Sequence, residues 1–118
     1  LSQSPLIIPM IEHVDAIQDL EDILSVEVDA VMIGPYDLSS SLGITGEFDK
    51  PIYKHELNKF IKYCSDNNIP MGYHIPGTEH TQEPYSELQD RISEGYRFIS
   101  YSGDILFFNK HCKNPYTR

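Results

Sequence analysis

Two acidic side chains in this sequence stand where short apolar segments end. Glu12 follows the apolar run 6–11, and Asp37 follows the apolar run 28–34 within a Gly-Pro-Tyr-Asp-Leu-Ser segment. Two carboxylates about 4 Å apart repel each other by about 4 kcal/mol at an effective dielectric constant near 20, so a cation between them would stabilise the pair. Carboxylate oxygens are ligands that Mg²⁺ and Mn²⁺ prefer. Glu12 and Asp37 are therefore candidate ligands of a divalent metal ion.

A structural interpretation of the same acids stays open. Each could be the N-cap of the helix that follows, because a carboxylate accepts hydrogen bonds from the unpaired N–H groups of a helix start. For Glu12 alone we favour capping, whereas its pairing with Asp37 in a loop with glycine and proline favours the metal site. Capping adequately explains Asp104, after the last apolar run.

The five histidines do not supply a clear catalytic base. His74 is the only one expected near the strand ends, and we favour a structural role for it. His13 is expected at a helix start, His55 and His111 at solvated helix positions, and His80 in a polar loop.

Four apolar segments alternate with amphipathic ones and predict the elements that position these residues. Near-continuous apolar runs of this length are typical of parallel strands buried on both faces. The predicted strands are 6–11, 28–34, 70–75 and 97–101, and the predicted helices are 16–24, 53–64, 85–92 and 105–108. This βα repeat predicts an α/β fold with a parallel sheet and helices outside it.

Boundary signals accompany these elements. The helix 53–64 has an apolar stripe, Asp49 as the expected N-cap, Pro51 in the first turn and an end near 67–68. Gly95 is expected to stop the following helix. Because Pro9 has no N–H, we expect a bulge or a missing hydrogen bond in the first strand. The apolar stripe of helix 53–64 consists of Tyr53, Leu57, Phe60, Ile61 and Cys64.

The length of 118 residues fits one domain, 1–118. Four βα units are about half of a (β/α)₈ barrel, which typically needs roughly 250 residues. Two alternatives follow: an open α/β sandwich, or half a barrel completed by residues outside this sequence. Because the chain begins at Leu1 and not at Met, we expect a piece of a longer polypeptide.

The composition excludes several classes of protein. With 9 basic and 18 acidic residues the formal net charge is −9, which is unsuited to binding nucleic acid. The apolar runs are too short to cross a membrane, and no secretory signal pattern is present. Cys64 and Cys112 lack metal or redox spacing and are expected as buried or half-buried thiols in a reducing cytoplasm.

Three segments carry a resemblance to a known family. Residues 8–12, residues 28–39 with their Gly-Pro-x-Asp-Leu-Ser motif, and the pair Leu42-Gly43 resemble the HpcH/HpaI aldolases. These are class II, metal-dependent aldolases of the 2-keto-3-deoxy acid and 4-hydroxy-2-oxoheptanedioate type. The likeness spans nearly the whole chain but only the C-terminal half of the family's barrel. It therefore implies the C-terminal half of a TIM (β/α)₈ barrel.

The resemblance also implies roles for individual residues. Glu12 and Asp37 would ligate the metal ion, Mg²⁺ or Mn²⁺ with Co²⁺ and Zn²⁺ as alternatives. The backbone N–H groups of Tyr36 and Asp37 would bind the carboxylate of a small 2-oxo acid substrate. Met10 stands where the family commonly has a glutamine that contacts the substrate.

The implied reaction is carbon–carbon cleavage of a 2-oxo-3-deoxy acid to pyruvate and an aldehyde, through a metal-stabilised enolate. In the family, the general-base histidine and an enolate-stabilising arginine come from the N-terminal half of the barrel. We therefore expect no catalytic residue in this chain and no turnover by it alone. The resemblance further implies a cytoplasmic homo-oligomer.

Two other functions are alternatives. The first is a lyase of the citrate-lyase β-subunit type acting on an acyl-CoA, which would need basic residues that the predicted strand ends do not offer. The second is a non-catalytic, flavodoxin-like binding module in which the acids are helix caps.

Overall fold

The computed structural model describes residues 4–75, 84–105 and 108. Within these residues, the strands β1 to β4 form one parallel sheet in the order β1-β2-β3-β4. The strands are β1 Met10–Ile11, β2 Val31–Ile33, β3 Met71–Ile75 and β4 Phe98–Tyr101, and the helices are α1 Val14–Gln18, α2 Leu20–Ile23, α3 Pro35–Ser41, α4 Pro51–Asp66 and α5 Pro84–Ser93. The predicted α/β fold with a parallel sheet is confirmed.

The two faces of the sheet differ in burial. Successive side chains of a strand point to opposite faces, and one set packs against the helices as the core: Ile11, Val31, Ile33, Met71, Tyr73 and Ile75. The other set forms what we call the open face: Met10, Met32, Gly72, His74, Phe98 and Ser100. On the open face, Met10 is 48% exposed, Met32 and Phe98 are half-buried, and Ser100 is exposed.

Helix α4 supplies the main layer against the core face. Of its predicted apolar stripe, Ile61 is half-buried and the other members, Tyr53, Leu57, Phe60 and Cys64, are buried. Pro51 begins the helix and Asn67 is its C-cap, as predicted. The prediction of Asp49 as N-cap is wrong, because Lys50 occupies the N-cap position and Asp49 instead pairs with Lys54 at 3.4 Å.

The first predicted strand, 6–11, is longer than the observed β1. Ile7 and Pro9 still offer their carbonyl oxygens to the N–H groups of Asp29 and Met32, both at 2.9 Å. Proline has no N–H to return, so the ladder lacks a hydrogen bond at Pro9 as predicted. Regular pairing therefore begins only at Met10.

The helices next to the strand ends also differ from the prediction. The predicted helix 16–24 is divided into α1 and α2 at Asp19, whose φ of −98° and ψ of 18° lie outside the helical range. Helix α3 is an additional short helix directly after β2, and Pro35 fixes its first φ angle. Helix α5 ends before Gly95, which has a φ of +96°, as predicted.

Some predictions fall outside the described residues. These are residues 106–107 of the helix 105–108, residues 76–83 after β3, and His80, His111 and Cys112. In the described part of the chain, none of the helices combines the length and the apolar character that crossing a membrane requires.

Candidate metal and carboxylate site

Glu12 lies at the carboxyl end of β1, and its side chain crosses the backbone of Gly34. The register pairs Ile11 with Ile33, which places the next residues, Glu12 and Gly34, side by side. A Cβ atom built on Gly34 would lie 2.8 Å from Glu12 Cγ and 2.9 Å from Glu12 Oε1. The absence of a side chain at position 34 therefore provides the space that the Glu12 carboxylate occupies.

Asp37 is the third residue of α3, the helix that begins immediately after Gly34. Its side chain is exposed, and Gly34 is the N-cap of the helix without any side-chain capping bond. The cap of α1 is His13, whose Nδ1 accepts a hydrogen bond from the N–H of Asp15 at 3.2 Å. The interpretation of Glu12 and Asp37 as N-caps is therefore wrong.

The start of α3 presents backbone donors beside these acids. Pro35 has no N–H, and the first hydrogen bond of the helix runs from the N–H of Leu38 to the carbonyl of Gly34 at 3.0 Å. Among the described residues, no group accepts a hydrogen bond from the N–H groups of Tyr36 and Asp37. Free donors at a helix start attract anions, so this turn is suited to the predicted carboxylate binding.

Ser41 joins α3 to the segment that carries Glu12. Its hydroxyl accepts a hydrogen bond from the N–H of Val14 at 3.0 Å and donates one to the carbonyl of Leu38 at 2.7 Å. Val14 follows Glu12 by two residues. Asp37 precedes Ser41 by four residues and so lies on the same face of α3. The two acid-bearing segments are thus in direct contact through this hydroxyl.

Ser39 fixes the other side of the same helix. It is fully buried, its hydroxyl donates to the carbonyl of Tyr36 at 2.8 Å, and it accepts the N–H of Gly46 at 3.0 Å. The ring of Tyr36 packs edge-on against Phe48, with 5.2 Å between the ring centroids. The loop after α3 therefore holds Tyr36 in place.

Sequence reasoning did not identify Ser39 and Ser41 as members of the site. The run of three serines at the end of α3 was the available signal, because serine is a poor residue for a helix interior unless its hydroxyl has a partner.

The donor set fits a hard divalent ion with an incomplete protein shell. Glu12 and Asp37 are both exposed and offer carboxylate oxygens. Across the described ranges, no group of three or more His, Cys, Asp or Glu side chains converges to hold a metal. An ion held by one or two carboxylates and several waters is the usual arrangement for Mg²⁺.

Two other polar residues near the strand ends, His74 and Asp104, lie apart from this acid pair in the sequence. His74 is half-buried on the open face. The register that pairs Ile33 with Tyr73 places His74 beside Gly34. The carboxylate of Asp104 accepts the N–H of Ile105 at 2.8 Å, in agreement with local capping.

Tyr73 faces the core and not the candidate site. Its hydroxyl lies 3.2 Å from that of Tyr53, its ring contacts Tyr96, and the Arg91 guanidinium lies 4.6 Å from the ring centroid. Burial raises the pKa of Tyr53 and of Tyr96 and so disfavours the charged phenolate form of both. These aromatic residues serve packing.

Comparison with known proteins finds similarity to aldolases. No family model matches the chain. The chain is 34% identical over 96 residues to the hydroxypyruvate/pyruvate aldolase of Roseobacter denitrificans, covering 80% of this chain and 35% of that protein. It is 34% identical over 101 residues to the 4-hydroxy-4-methyl-2-oxoglutarate aldolase cghB of Chaetomium globosum, covering 85% and 37%. The chain thus spans little more than a third of these curated relatives.

Solved structures share the fold over a similar share of their length. The HpcH/HpaI aldolase from Desulfitobacterium hafniense DCB-2 superposes with a TM-score of 0.77 at 28% identity, covering 90% of this chain and 39% of that one. An HpcH/HpaI aldolase/citrate lyase family protein from Burkholderia cenocepacia J2315 gives the same TM-score at 22% identity, which shows a common fold.

Proposed function

We propose that this chain forms the metal- and carboxylate-binding part of an aldolase of the HpcH/HpaI type. The proposal is supported by its similarity in sequence to a curated aldolase and in fold to an HpcH/HpaI aldolase. The reaction is cleavage of a small 2-oxo-3-deoxy acid to pyruvate and an aldehyde. The observation that carries the proposal is the position of the Glu12 carboxylate over Gly34, directly beside the helix start that bears Asp37.

Glu12 and Asp37 hold a divalent ion, Mg²⁺ or Mn²⁺, in this proposal. When bound, the ion supplies Lewis-acid chemistry to the 2-oxo group of the substrate. Two exposed carboxylates leave coordination positions to water and substrate.

The start of α3 binds the substrate carboxylate in the proposed site. The N–H groups of Tyr36 and Asp37 donate to its oxygens, and the helix dipole adds a partial positive charge at that end. Ser39 and Phe48 keep Tyr36 in position for this contact. Orienting the acid by fixed donors reduces the entropic cost of reaching a reactive geometry. Proton transfer is left to residues outside this sequence.

The open face of the sheet supports the proposal that the chain is one domain, the C-terminal half of a larger barrel. Parallel sheets are normally covered on both faces, yet Met10 is 48% exposed and Met32 and Phe98 are only half-buried. A cytoplasmic location and a homo-oligomeric assembly belong to the same proposal. The free, buried thiol of Cys64 supports a reducing compartment.

The metal site is tested by titrating Mn²⁺ into the chain and following free Mn²⁺ by electron paramagnetic resonance. We expect binding by the unaltered chain and its loss in Glu12→Gln and in Asp37→Asn. Asp66→Asn is the matched control, since this exposed acid lies at the far end of α4 and pairs with Lys62. Equal binding by all four proteins would contradict the site.

The reaction is tested in a chimera in which this chain replaces the corresponding segment of the Roseobacter denitrificans aldolase. We expect Mg²⁺- or Mn²⁺-dependent release of pyruvate from 2-oxo-3-deoxy acids, abolished by Asp37→Asn and unaffected by Asp66→Asn. If the Asp37→Asn chimera keeps both metal binding and activity, the assignment is wrong.

A further inference from the structure

The hydroxyl of Ser41 makes a hydrogen bond between two segments 27 residues apart in sequence. As acceptor it receives the N–H of Val14 at 3.0 Å, and as donor it bonds to the carbonyl of Leu38 at 2.7 Å. The second bond fixes the hydroxyl within its own helix. The bond that the hydroxyl accepts from Val14 at the start of α1 therefore has a defined direction.

The N–H groups of the first two residues of α1 both donate hydrogen bonds to side chains. Val14 donates to Ser41, and Asp15 donates to His13 Nδ1 at 3.2 Å. The bond to His13 is local, whereas the bond to Ser41 connects this turn to another element. Among the side-chain hydrogen bonds of the described residues, it is the one that joins α1 to α3.

Each end of the bond between Val14 and Ser41 is close in sequence to one acid of the candidate site. Glu12 lies two residues before Val14, and Asp37 lies one helical turn before Ser41 on the same face of α3. A shift between Val14 and Ser41 would therefore change the distance between the two carboxylates.

We propose that Ser41 is a positioning residue that sets the separation of Glu12 and Asp37. The inference rests on the proposed function, because it gives that site a residue that orients its ligands without contacting the ion. Groups that orient metal ligands typically change metal affinity or activity by about 10- to 100-fold when they are removed.

The test is the Mn²⁺ affinity of serine variants, measured by electron paramagnetic resonance. Ser41→Ala removes the acceptor and is expected to weaken binding by about 10- to 100-fold. Ser41→Thr keeps the hydroxyl and is expected to restore the Mn²⁺ affinity. A residue that only filled space would not need a hydroxyl for this affinity. Ser40→Ala is the matched control, because the neighbouring Ser40 is exposed. Circular dichroism checks that each variant is folded.

The outcomes separate this inference from the proposed function. If Ser41→Ala binds Mn²⁺ as well as the unaltered chain while Glu12→Gln and Asp37→Asn do not, the positioning role is wrong and the metal site stands. If the unaltered chain does not bind Mn²⁺, the proposed function itself fails. Should Ser41→Ala not fold, Ser41→Cys takes its place, since its thiol is a weak acceptor on a side chain of the same shape. Unchanged affinity in Ser41→Cys would likewise overturn the inference.

Discussion

The side chain of Glu12 and the backbone of Gly34 occupy adjacent space at the carboxyl ends of β1 and β2. A methyl group at position 34 would come within 2.8 Å of Glu12 Cγ and 2.9 Å of Glu12 Oε1. Gly34 has a φ of −99° and a ψ of 93°, a conformation open to other residues. The requirement for glycine here therefore comes from the neighbouring carboxylate and not from backbone strain.

Gly34→Ala is expected to displace the Glu12 carboxylate and to weaken Mn²⁺ binding by about 10- to 100-fold. The chain should remain folded, because a flexible side chain can move away. The measurement is Mn²⁺ titration with circular dichroism. Gly103→Ala is the control, since among the described residues other than its chain neighbours no atom lies within 4 Å of a Cβ built there. Equal affinities in the two variants would show that Gly34 does not set the position of Glu12.

Gly72→Ala is expected to destabilise the chain by about 1–3 kcal/mol, as overpacking typically does. The ring of Phe98 lies over Gly72, and a Cβ atom there would clash with Phe98 Cζ. The measured quantity is the free energy of unfolding in urea. Combining Gly72→Ala with Phe98→Ala should recover part of it, because contacting residues couple. Simple additivity of the two changes would contradict the contact.

Phe60→Ala is expected to cost about 3–5 kcal/mol, the usual range for truncating a buried phenylalanine. Phe60 is fully buried between α4 and the sheet. The free energy of unfolding in urea is the measured quantity. Asn58→Ala, on the exposed side of the same helix, should change it by about 0.5 kcal/mol or less. Similar losses in both variants would show that the stripe does not form the core.

Cys64 is expected to resist alkylation in the folded chain. Burial raises the pKa of its thiol to about 12, so almost no thiolate is present at pH 8. In a Cys112→Ser background, iodoacetamide should react slowly with the native protein and quickly after unfolding in urea. Equal rates in the two states would contradict the burial of Cys64.

The same thiol gives a pH dependence of stability. Because its pKa is higher in the folded chain than in the unfolded chain, its contribution is fully present below the unfolded pKa and is lost as the pH rises towards about 12. The free energy of unfolding should therefore decrease above about pH 9. The decrease should be smaller in Cys64→Ala, and an identical slope would exclude the thiol as a contributor.

The amino-acid pattern predicted the sheet and its main helices because those elements depend on local periodicity. The stripe from Tyr53 to Cys64 is buried as its spacing required. The first strand was overestimated because Leu6, Ile7 and Ile8 are apolar yet exposed, and apolar character alone does not say which residues pair. Helix α3 was not predicted, since its 7 residues, about two turns, are too few to show a helical period.

The residue types of the candidate site are a sequence prediction, whereas the contacts that support them come only from the structure. Glu12 and Asp37 follow apolar runs, which is a local signal. The contact of Glu12 with Gly34 depends on the register between two strands, and the bond from Val14 to Ser41 joins positions 27 residues apart. Neither relationship has a period or a spacing in the sequence that could reveal it.

The contact between Glu12 and Gly34 has a consequence for protein engineering. Grafting this acid pair onto another βα scaffold would require a residue without a side chain on the adjacent strand, even if both acids were copied faithfully. The proposed metal site therefore corresponds to a set of four positions, Glu12, Gly34, Asp37 and Ser41.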